Sequence, residues 1–131
     1  MAWTAEALRA QVWETLSGGP IQSVPHNGFP AFRVASEVPE ILVIECAWRI
    51  LRDGVVVVGT GFGDGDKIEA LEALVTSTLR EVEVRAPHLE LVLVFDGGRL
   101  ETIADAPECW WLLRGRERRF TVGLDGAHSG E

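Results

Sequence analysis

At 131 residues, 47% of them hydrophobic and 24% charged, the chain has the size and balance of a single globular domain. Its formal charge of −8, from 12 basic and 20 acidic residues, repels polyanions and argues against nucleic acid as a partner. No apolar run reaches the roughly 18 residues of a membrane span, and the N-terminus lacks the basic-then-apolar pattern of a signal peptide.

Thr4 is a good helix N-cap, with Glu6 in the first turn and Trp3 placed to staple against Leu8. Leu8, Val12 and Leu16 follow at helical spacing, and Gly18-Gly19-Pro20 stops the helix. Strands are predicted over 21–24, 32–35, a long 41–51 and, after the Arg52-Asp53-Gly54 turn, 55–60. The glycine-rich stretch 59–65 reads as a linker. It lacks the third glycine of a dinucleotide loop, carries no Gly-Lys-Ser/Thr, and does not fit a calcium loop. A second helix is expected, capped by Asp66 with Glu69 completing a capping box, its stripe being Ile68, Leu71, Val75 and Leu79. Strands are then expected over 81–86, 89–95, 99–104, 110–114 and 120–124, with 125–131 as a flexible tail.

The chain resembles itself at an offset of 63. Glu6 to Leu16 lies over Glu69 to Leu79, and Glu45-Cys46-Ala47-Trp48 over Glu108-Cys109-Trp110-Trp111. Pro25-His26 and Pro87-His88 match after a slip of one. The expectation is an α+β domain of two tandem helix-plus-antiparallel-strand repeats, 4–60 and 67–124, packed with pseudo-twofold symmetry around one core.

Few residues offer chemistry. Cys46 and Cys109 fall on apolar strand faces, with no CxxC or nearby His, so both are expected as buried, reduced core residues and no metal or cofactor is expected. Without an export signal the expected compartment is the reducing cytoplasm. His26, His88, Glu45 and Glu108 form two symmetric pairs and make an alternative pocket set, suited to metal binding or acid–base work, though solvated structural roles suit them as well. One feature occurs in the second half alone. Arg114, Arg116, Arg118 and Arg119 crowd a hairpin tip beside Trp110, which is expected to face away from the core. Together these residues have the composition of a partner-binding surface.

The run Leu42 to Ile50, the Asp-Gly turn after a strand and the late Trp110-Trp111-Leu112-Leu113 resemble an uncharacterised family of small bacterial α+β proteins. That resemblance implies a compact bacterial domain and carries no activity or site residues. The sequence is read as a non-enzymatic binding or interaction protein, in the manner of an immunity-type inhibitor or regulatory subunit, with self-association open to it. The alternative is a small-molecule binder or minor enzyme using a groove between the repeats.

Overall fold

The computed structural model describes residues 3–35 and 39–129; residues 130 and 131 of the expected tail lie outside them. Within that span the chain runs α1 (Ala5–Leu16), β1 (Ile21–Ser23), β2 (Ala31–Val34), β3 (Glu40–Ile44), β4 (Ala47–Arg52), β5 (Val55–Gly59), α2 (Asp64–Val75), β6 (Leu79–Arg85), β7 (Glu90–Phe95), β8 (Gly98–Ile103), β9 (Trp110–Arg114), β10 (Glu117–Gly123) and β11 (Gly126–Ser129). The strands form two antiparallel sheets, ordered β1-β2-β3-β9-β10-β11 and β5-β4-β8-β7-β6. β-Branched or aromatic residues recur at every second position in β2 (Phe32, Val34), β4 (Trp48, Ile50) and β6 (Val82, Val84), which suits a pleated surface.

Register aligns the inward residues. Phe32, Leu42 and Leu112 face one another across β2, β3 and β9, and Ile44 pairs with Trp110. In the second sheet Ile50, Leu100, Leu93 and Val82 line up across β4, β8, β7 and β6. All of these side chains belong to one core. Helix α1 contacts β6 and β2, while α2 contacts β1 and β5, so each helix bridges the two sheets. Thr4 caps α1 as expected, its hydroxyl accepting from the Ala7 N–H at 3.0 Å. Leu8, Val12 and Leu16 are buried, at about 1.5–3 kcal/mol each. Trp3 packs on Phe120, with ring centroids 4.9 Å apart, and donates to the Ser129 hydroxyl at 2.7 Å.

The α+β repeat architecture is corrected by this topology. The protein is mostly β, with eleven strands and two helices among the described residues. Helix α1 starts at Ala5 and α2 at Asp64, so the helices do not keep the offset that relates the cysteines. Cys46 leads into β4, between β5 and β8, whereas Cys109 leads into β9, between β3 and β10. Equivalent residues would share equivalent neighbours. The Ala-, Leu- and Glu-rich helices align because both use the same good helix formers, which carries little information.

Helix α2 also departs from its expected bounds. Gly63 takes the N-cap position without a side-chain bond, and Ile68 is exposed. The helix stops at Val75 because the Thr76 and Ser77 hydroxyls donate to the Ala73 and Leu74 carbonyls, both at 2.7 Å. Leu79 therefore belongs to β6. The expected strand 41–51 is two strands, broken at Glu45-Cys46 as the chain crosses from one sheet to the other. Alternation hides the break, since Leu42, Ile44, Cys46, Trp48 and Ile50 all face the same core from both sides of the corner. Residues 126–129, expected as tail, pair with β10 through a Leu124-Asp125 turn, after which Gly126 opens β11 with φ 105°.

The outer face of the five-stranded sheet carries an ionic cluster. Glu101, largely buried, accepts from Arg49 at 3.0 Å and pairs with Arg99 at 3.0 Å, with Arg85 at 3.9 Å. Glu101→Ala leaves three half-exposed guanidinium groups without their shared partner. Urea unfolding should show a loss of about 2 kcal/mol, and a loss below about 0.5 kcal/mol would mean solvent already does the work of the carboxylate.

Candidate functional site

A cavity of about 720 Å³ opens between the N-terminal half of α2, the β1–β2 loop and the corner where β3 passes into β4. Its apolar lining includes Phe29, Trp48, Ile68 and Leu71, with Cys46 beside Trp48. Its charged lining is four carboxylates, Glu45, Asp64, Glu72 and Asp105, and one cation, Lys67. Lys67 is already paired with Asp64 at 3.3 Å. The charge left for a ligand is therefore negative.

Several polar lining groups are committed to the fold. The Thr60 hydroxyl accepts from the Trp48 N–H at 2.8 Å and donates to the Trp48 carbonyl at 3.1 Å. Asp105 accepts from the Ala47 N–H at 3.1 Å, holding the crossover loop at the cavity edge. Glu45 accepts from the Trp111 indole N–H at 2.8 Å. Burial foremost, then the charge and hydrogen bond of Cys109 and the charge of Asp105, push the Cys46 thiol up to about 12. Among the described residues no group of three or more His, Cys, Asp or Glu could hold a metal.

The residues singled out from sequence fall in three places. Glu45 lines the cavity, and His26 lies in the loop that walls it, its ring edge-on to Trp111 with centroids 5.4 Å apart. His88 stands exposed in the turn between β6 and β7 and does not join them. Glu108 is exposed and binds Arg118 at 2.9 Å. The guanidinium of Arg118 lies 4.0 Å over the Trp111 ring. His26, Glu45, Arg118 and, through Arg118, Glu108 thus gather around Trp111 on the outer face of the six-stranded sheet, where Trp111 covers Ala31 and Val43.

The expectation that Trp110 faces away from the core is corrected. Trp110 is 0% exposed and packs in the main core, its indole N–H donating to the Leu89 carbonyl at 3.0 Å. Strand alternation does place Trp110 and Trp111 on opposite faces, but the core lies on the Trp110 side. Arg114 is exposed 3.8 Å from Glu40, Arg116 is exposed and Arg119 is half-buried. Sequence reasoning missed Lys67, Glu72, Asp105 and Phe29. No local motif marks them, because they meet only when α2 lies across the β1–β2 loop. No family model, curated protein or solved structure matches this chain.

Proposed function

We propose that this is a non-catalytic binding protein whose cavity takes an apolar ligand carrying positive charge. The observation that carries the reading is the lining itself: an apolar floor of Trp48, Phe29, Ile68 and Leu71 beneath four carboxylates and one already paired lysine. A cavity of 720 Å³ is in the range of small-molecule sites. Catalysis is the weaker reading because the polar groups are spoken for. Thr60 is bonded to backbone, Glu45 to Trp111, and a thiol held near 12 is a poor nucleophile at neutral pH.

The protein-partner reading, an immunity-type inhibitor or regulatory subunit, draws support from the charge of −8 but loses Trp110 as its anchor. The same charge disfavours nucleic acid. No helix among the described residues is long and apolar enough to cross a membrane. The two free thiols support a reducing compartment such as the cytoplasm.

Trp48 supplies the readout. Octyltrimethylammonium should bind saturably and change the tryptophan emission, and Trp48→Phe should remove most of that change. Octyl sulfate, of equal chain length and opposite charge, should bind at least about tenfold more weakly at low salt. The double variant Glu45→Gln, Asp105→Asn should close most of that gap. Equal binding of the two amphiphiles, or no saturable signal from either, would sink the reading.

A further inference from the structure

We propose that Cys46 and Cys109 are a dithiol pair that oxidation converts to a disulfide, bolting the two sheets together where the chain crosses between them. Each thiol alone would be an inert core group. Together they have chemistry that neither has singly. The Cys46 N–H donates to the Cys109 carbonyl at 3.1 Å, and the Glu45 N–H to the same oxygen at 2.8 Å, so the two crossover segments run side by side. Both side chains are buried in the same core. The Cys109 thiol also donates to the Ala106 carbonyl at 3.1 Å, which fixes its direction. Both are free cysteines.

The cavity gives a small oxidant its route, since Cys46 lines it. With hydrogen peroxide as the oxidant, the Cys46 thiolate attacks one peroxide oxygen and the O–O bond breaks. Cys46 becomes a sulfenic acid, and the departing hydroxide takes up a proton as water. The Cys109 sulfur then attacks the Cys46 sulfur, the S–O bond breaks, and a second hydroxide leaves as water. Two thiols and one peroxide give one disulfide and two waters, sulfur being oxidised and oxygen reduced. A dithiol reductant reverses the linkage by exchange.

The reaction should be slow at neutral pH and steeply pH-dependent. Around the Cys46 thiol stand Cys109 and Asp105, with Glu45 before it in the chain and Lys67 in the cavity lining. With its pKa raised to about 12, the thiolate fraction grows about tenfold per pH unit throughout the range where the fold can be studied. Between pH 8 and pH 10 the rate should rise about a hundredfold, whereas an ordinary thiol would gain only about fourfold.

The test exposes the reduced, folded full-length chain to hydrogen peroxide, then quenches it by unfolding in iodoacetamide for intact-mass analysis. The expected product is about 2 Da lighter than the reduced chain, with neither cysteine alkylated, and dithiothreitol restores both thiols. Cys109→Ser should instead gain oxygen at Cys46, showing that the mass loss needs both sulfurs. Two alkylated cysteines after prolonged exposure, oxygen addition without linkage, or disulfide between two chains would each overturn the pairing. A rate that levels off near pH 9 would overturn Cys46 as the attacking thiol.

Discussion

Trp110→Ala should lower the free energy of unfolding by about 4 kcal/mol, read as an earlier urea midpoint with an unchanged slope. The side chain is the largest of those that are fully buried. It sits opposite Ile44 on the neighbouring strand and meets Phe120 edge-on, with centroids 5.6 Å apart. Truncation empties a volume the surrounding strands cannot refill, because both sheets are held in register by their own ladders. It also strands the Leu89 carbonyl, whose partner is the indole N–H. Trp110→Phe separates the two effects, keeping most of the ring while losing the hydrogen bond, and should cost about 1–2 kcal/mol. Trp111→Ala should cost less than Trp110→Ala. Trp111 covers only the small outer cluster, and its Arg118 and Glu45 partners can turn to water. If Trp110→Ala costs under about 1 kcal/mol, the placement of this ring in the core is wrong.

Gly123→Ala is the second substitution expected to act strongly. A Cβ at Gly123 would collide with the Pro107 carbonyl oxygen, which is backbone and cannot swing aside. The contact arises because the β8–β9 crossover is pinned to β10 here, the Cys109 N–H donating to the Val122 carbonyl at 2.7 Å. One methyl group must therefore push either the crossover or the end of β10 off its ladder. The expected loss is about 3 kcal/mol, at the upper end of what overpacking costs. Gly61→Ala, where nothing lies within 4 Å of the added carbon, is the matched control and should change the urea midpoint little. Equal effects from the two would mean the crossover is not pressed against β10.

Individual elements were legible in the sequence because their causes are local. Thr4 and the Leu8, Val12, Leu16 stripe announce α1, and Trp110–Arg114 was bounded correctly as β9. The break at Glu45-Cys46 was not legible, since a strand and a crossover between sheets sharing one core both keep apolar side chains at every second position. The end of α2 could have been read from Thr76-Ser77, whose hydroxyls compete for helix carbonyls. Of the candidate residues, Glu45 lines the cavity and His26 lies in the loop that walls it. His88 and the symmetry that suggested it belong to the misread repeat. The remaining rim, Lys67, Glu72 and Asp105, is brought together by long-range packing for which no single segment carries a sign.

The seams between the sheets' halves bear on how the chain is made. The six-stranded sheet joins 21–44 to 110–129 through β3 and β9, and the five-stranded sheet joins 47–59 to 79–103 through β4 and β8. Contacts of such sequence separation pay their loop-closure entropy before any packing rewards it, so the last assembly step is slow. During synthesis the N-terminal strands wait. Until Trp110–Arg114 has left the ribosome, β3 offers an unpaired edge that carries Leu42 and Ile44. That is the interval in which a chaperone, or another copy of the same chain, would find the nascent protein most adhesive.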